Sequence, residues 1–127
     1  MTAREIMTER LERRERERKA AGTMHYGELF VPKTLNDGTK VADSYVANVA
    51  MDLCNTFGGL TLTDARGFWR GLEGRVYDEP MHIFRIDSAA GNLREKLLAL
   101  AAEVRKDLDQ ESVYVRMGKV DVVLVAD

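Results

Sequence analysis

LTLTDARGFWRGLEGRVYDEPMHIFRI, residues 60–86, is the stretch on which the architecture turns. Leu60 to Trp69 alternates in part between apolar and polar side chains, as a strand with one buried face does. Gly71-Leu72-Glu73-Gly74 has the glycines and the length of a hairpin turn. The chain then returns through Val76 and, past Pro80, through His82-Ile83-Phe84-Arg85-Ile86. Two long antiparallel strands joined by a tight turn are expected. Gly67 is a candidate bulge, and a second bulge is expected near Pro80, because proline cannot donate to a ladder.

Upstream, MHYGELFV (24–31) is rich in β-formers and stops at Pro32, which closes the strand. LNDGTK (35–40) has the chemistry of a loop or tight turn. A helix follows: Asp43 or Ser44 can cap it, Val46, Val49, Ala50, Leu53 and Phe57 share one face, and Gly58-Gly59 ends it. Downstream, a second helix is expected from Asp87 or Ser88, with Leu93, Leu97, Leu100, Ala101, Val104 and Leu108 in its apolar stripe and Arg105 and Lys106 at its negative end. SVYVRM (112–117) reads as a fourth strand, separated by Gly118-Lys119 from a possible short fifth strand in VDVVLV (120–125). The order β-α-β-β-α-β is the ferredoxin-like split unit, an α+β fold with two helices on one face of an antiparallel sheet. The other face needs cover, and apolar residues on both parities of the first and fourth strands point to self-association through it.

The chain has 127 residues, 45% of them hydrophobic, which suits one core. Its first 22 residues stand apart as a charged arm, helical or disordered, ahead of a domain spanning 23–127. REIMTERLERRERERK (4–19) carries 12 charged side chains, with Arg and Glu spaced to pair along a solvated helix. A net charge of −2 gives no general pull toward nucleic acid. The longest apolar run, Val122 to Ala126, is far short of the roughly 20 residues that span a bilayer. With no secretory signal at the N-terminus, a cytoplasmic location is expected. Cys54 is the only cysteine, and His25 and His82 lack ligand spacing, so neither a disulfide nor a metal site is expected.

There is no phosphate-binding glycine loop, nucleophile-elbow serine or HExxH motif. What stands out is GFWRGLEGRVYDEP (67–80), which combines the only tryptophan with a tyrosine, several arginines and an adjacent carboxylate pair. Trp69 can stack on a base or attract a cation, or simply fill an interface. Asp78 and Glu79 point to opposite faces of an extended strand, so they cannot share a proton unless a bulge turns one of them. An inward Glu79 would need a cation, which Arg66, Arg70 or Arg75 could supply. Arg85 is expected to pair with Glu28 across strands. Tyr26 and Tyr114, on the first and fourth strands, can line a pocket between subunits or pack in the core.

GFWR, then DEPMHIFRI, then a helix ending in DQESVYVRM resembles the pattern of the phage-encoded S-adenosylmethionine lyases, formerly called SAM hydrolases. The resemblance covers about residues 24 to 126. It implies a PII-like, ferredoxin-type homotrimer with active sites in clefts between subunits and S-adenosylmethionine as substrate. It also implies that Glu79 is the key active-site carboxylate, with Trp69 and Arg70 beside it; Asp78, Tyr26 and Tyr114 are the further candidates for contact with substrate. The implied reaction releases methylthioadenosine and homoserine lactone without metal or cofactor, and would let a phage deprive its host of the methyl donor for methylation and restriction. This chain departs from the pattern in having tryptophan rather than tyrosine, and Asp-Glu rather than a Glu-rich pair. The same segments also resemble an uncharacterised bacterial domain family. The alternative is a non-catalytic PII-like oligomer that binds a nucleotide or a protein.

Overall fold

The structure, a computed structural model, describes residues 1–21 and 24–122. Its elements are α1 (Ala3–Ala21), β1 (Met24–Pro32), α2 (Asp43–Phe57), β2 (Thr61–Arg70), β3 (Val76–Ser88), α3 (Leu93–Asp107) and β4 (Val115–Val120). The strands form one sheet in the order β2-β3-β1-β4, with every neighbouring pair antiparallel. From β1 onward this is the βαββαβ unit that the sequence pattern predicts.

Leu29 and Val31 of β1 and Phe84 and Ile86 of β3 point to one side of the sheet and are buried there under α2 and α3. Val46, Val49 and Leu53 come down from α2, and Leu93, Leu97, Ala101 and Val104 from α3, so each helix presents one apolar stripe. Gly27 sits where α3 presses on β1: a Cβ there would run into Leu97 and lie 3.2 Å from Leu93. The Tyr45 hydroxyl donates to Asp107 (2.9 Å), tying α2 to α3. At the end of α2, Gly58 adopts a left-handed conformation (φ 87°) and its N–H donates to the Cys54 carbonyl (2.8 Å).

Several local expectations are corrected. Neither bulge exists: β2 and β3 stay in register from Thr61–Arg85 to Arg70–Val76, with Gly67 facing Glu79 and Arg66 facing Pro80. Proline is accommodated because its carbonyl accepts from the Lys33 N–H (3.0 Å). Its imide nitrogen therefore points to the side where β1 has just ended, and no bond to β2 is lost. The N-cap of α2 is Ala42, without a side-chain bond, rather than Asp43 or Ser44. The second helix starts at Leu93 and not near Asp87, because Asp87 and Ser88 remain paired with Tyr26 and His25. The fourth strand begins at Val115 and runs through Gly118-Lys119 without a break, Gly118 facing Tyr26. Most of the expected fifth strand lies outside the described residues.

Candidate active site

Strand alternation sends Tyr26, Glu28 and Phe30 to the side of the sheet away from α2 and α3, and the register brings Asp87, Arg85 and Ile83 opposite them on that side. Met81, Glu79 and Tyr77 continue this row down β3, and Gly67 and Trp69 flank it on β2. At the hairpin end of this open face lies a cleft of about 830 Å³. Its floor is Phe30, Pro32 and Met81. One wall carries Trp69 and Glu79, and the other is made by residues 110–114 together with Arg116.

Trp69 is placed by a glycine. Its ring lies across Gly67, two residues back on the same face, where any Cβ would collide with it. Glu79 stands directly across the ladder from Gly67, so indole and carboxylate are brought side by side. Glu79 is half-buried, and among the described residues it has no hydrogen-bond or ion-pair partner. The three arginines that could have neutralised it are engaged elsewhere. Arg66 forms a two-pronged pair with Asp78, its Nε donating to Oδ1 at 3.2 Å. Arg70 donates to the Gly74 carbonyl (2.8 Å), and the Arg75 guanidinium lies over the Tyr77 ring (5.1 Å).

Tyr114 meets Phe30 edge-on, with ring centroids 5.0 Å apart, and is 62% exposed toward the cleft. The Phe30 N–H donates to the Tyr114 carbonyl (3.1 Å), which holds the 110–114 segment against the end of β1. Gln110 is fixed in turn through Asn36 (3.2 Å) and the Leu108 carbonyl (3.1 Å).

Trp69, Glu79 and Tyr114 are thus gathered in one cleft, while Arg70, Asp78 and Tyr26 are not among its lining residues. Arg70, the last residue of β2, and Asp78 both lie on the opposite side of the sheet. Tyr26 is on the open face but further along it, its ring packed over Gly118, where a Cβ would come within 2.8 Å of it, and beneath the Arg85 guanidinium (4.5 Å). Arg85 does not pair with Glu28. It reaches Asp87 at 3.3 Å, and Glu28 takes Arg116 at 3.0 Å. Phe30, Met81 and Arg116 are cleft residues that motif reading missed. Alternation along SVYVRM holds the signal for Arg116, since it shares a face with Tyr114.

His82 points to the helix side of the sheet. Burial, reinforced by Lys33, holds its imidazole below the ordinary range, against the opposing pull of Asp64. Its Nδ1 is 3.8 Å from Asp64, too far for a hydrogen bond, while Lys33 reaches Asp64 at 2.8 Å. Among the described residues there is no group of three or more His, Cys, Asp or Glu arranged to hold a metal ion, and no helix long and apolar enough to cross a membrane.

The strand order and one-sided helices define the protein as a ferredoxin-like α+β domain. Solved structures with this fold include a phage SAM lyase in complex with S-methyl-5′-thioadenosine, at a TM-score of 0.61 and 20% identity over 76% of this chain and 81% of that one. They also include phage SAM lyase in the apo state, at a TM-score of 0.55 and 20% identity over 77% of this chain and 82% of that one. No protein-family model and no curated protein matches the chain.

Proposed function

We propose that this chain is an S-adenosylmethionine lyase that releases methylthioadenosine and homoserine lactone. The observation that carries the reading is the unpaired Glu79 carboxylate beside the Trp69 indole, in a cleft of a domain folded like phage SAM lyase. A sulfonium is a permanent cation that can donate no hydrogen bond. An aromatic face and an uncompensated carboxylate are what such a cation is drawn to.

The reaction asks little else of the protein. One oxygen of the substrate's own carboxylate forms a bond to Cγ while the Cγ–S bond breaks, its electron pair going to sulfur. Methylthioadenosine leaves neutral, homoserine lactone keeps the ammonium, and no proton moves. The nucleophile is already tethered to its target, so the protein's part is to restrict the freely rotating tail to the folded conformer with carboxylate and Cγ in contact. In this reading Trp69 and Glu79 fix the sulfonium end, and Tyr114, Phe30 and Met81 pack against the adenosine. No metal or cofactor enters. Association of copies through the open sheet face, in a homotrimer, would cover that face and close the cleft. In a phage-infected cytoplasm, loss of the methyl donor would disarm host methylation and restriction.

The test is to incubate purified protein with S-adenosylmethionine and follow methylthioadenosine by chromatography. Turnover is expected in the wild type, with a fall on the order of 10²-fold in Glu79→Gln, the scale of losing a charge-assisted contact. A wild type that releases no methylthioadenosine removes the reading. A second reading, a non-catalytic binding module, draws on the hairpin tip, where Phe68 is 61% exposed, Val76 50% and Leu72 wholly so. It requires stabilisation by ligand without product.

A further inference from the structure

The charged residues that line the cleft are Glu79, Glu111 and Arg116. S-adenosylmethionine carries the complementary set: two cationic centres, sulfonium and ammonium, and one carboxylate. Among the described residues, Arg116 is the only cation in the lining. Its Nε donates to Glu28 Oε1 at 3.0 Å, and Glu28 is itself only 16% exposed. The guanidinium lies 5.4 Å above the Phe30 ring. Held at Nε and stacked on one face, it keeps both terminal amino groups without a hydrogen-bond partner among the described residues. A guanidinium fixed in this way presents its planar fork to an anion, the geometry that suits a carboxylate.

We infer that Arg116, positioned by Glu28 and Phe30, is the residue that recognises the substrate's carboxylate and so selects the α-amino acid over its decarboxylated counterpart. The inference rests on the lyase reading and adds a kinetic consequence to it. As the carboxylate oxygen bonds to Cγ its charge is lost into the lactone, so the contact with Arg116 is strongest before reaction and weakens toward the transition state. Arg116 therefore serves binding of the ground state, and its removal raises KM without lowering kcat, kcat rising to the extent that the contact is lost in the transition state.

The test is Arg116→Met, which keeps the apolar stem over Phe30, with S-adenosylmethionine, decarboxylated S-adenosylmethionine and methylthioadenosine as probes. For S-adenosylmethionine, KM rises by about tenfold to hundredfold, the scale of a lost charge-assisted hydrogen bond, while kcat does not fall. Binding of the other two, measured by calorimetry, is unchanged. Glu28→Gln shifts KM in the same direction by less, because the fork loses its anchor and keeps its charge. If Arg116→Met does not fold, Arg116→Lys retains the charge without the fork, and an intermediate KM is expected. An unchanged KM in the folded variants overturns the inference. So does an equal weakening of methylthioadenosine, which would place Arg116 at the adenosine end or in the scaffold. A wild type that binds neither S-adenosylmethionine nor methylthioadenosine overturns the lyase reading itself, and this inference with it.

Discussion

Gly67 is a small residue with a large effect on the cleft, because the space its missing side chain leaves is filled by the Trp69 ring. A methyl group there would lift the indole off the strand and away from Glu79, while leaving the β2–β3 ladder free to form. Gly67→Ala is expected to lower turnover of S-adenosylmethionine by at least about tenfold, on the reasoning that a misplacement near 1 Å can cost about 10²-fold. Its melting temperature should stay near that of wild type, since β2 lies at the sheet edge. A variant as active as wild type would show that the indole's resting place over Gly67 is immaterial. Asp78 and Glu79 show how far residue type and parity can be read in advance. Strand alternation separates them correctly, one to each face. Their partners could not be foreseen, because which of three nearby arginines meets a carboxylate depends on register to the single residue. A shift of one rung would have given Arg66 to the other acid.

The elements most legible in the sequence are α2 and α3, where five or six apolar residues at one-face spacing, and for α2 a terminal Gly-Gly, leave little choice. Turns and bulges were harder to anticipate. Gly67 and Pro80 both carry the composition of a bulge, yet each has another role: one makes room for a ring, and the other faces the end of a neighbouring strand. Gly118 likewise reads as a break and is instead an in-register rung covered by the Tyr26 ring. Such glycines record contacts across the sheet, which no local window contains. Gly27 is the case with a measurable consequence for stability. It is buried between β1 and α3, and a Cβ there meets Leu97. Gly27→Ala is expected to destabilise by about 1–3 kcal/mol through overpacking, read as a lower midpoint in urea with an unchanged slope. Stability equal to wild type would mean that α3 can shift away without penalty.

For the molecule as a whole, the titration of His82 links stability to pH. Its folded-state pKa lies below the unfolded value, so the unfolded chain takes up the proton first. The contribution is present above the ordinary histidine value of about 6.5 and is lost as pH falls below it. Denaturant unfolding at pH 7.5 and pH 5 should show wild type losing stability on acidification, and His82→Gln losing less. An equal loss in both would assign the effect to other groups. The helix side of the sheet therefore responds to acid, while the cleft lies on the opposite side. The fold class was readable from the order of elements, and Trp69 and Glu79 stood out by residue type, but their meeting was expected only from the resemblance and between subunits, whereas the β2–β3 register brings them together within one chain. The remainder of the cleft was not readable, because Phe30, Met81 and Arg116 come from three different strands and meet only once the strand order is known.

β1 stops at Pro32 opposite Met81, whereas β2 and β3 remain paired as far as Arg70 and Val76. Beyond that point the sheet narrows to a two-stranded ribbon, and Trp69 and Glu79 both ride on it. A ribbon of two strands has little independent cooperativity, and its local opening needs far less free energy than global unfolding. On the lyase reading, warming would therefore abolish turnover while the circular dichroism still looked native. Harm done at the tip would escape any screen that measures only whether the protein is folded.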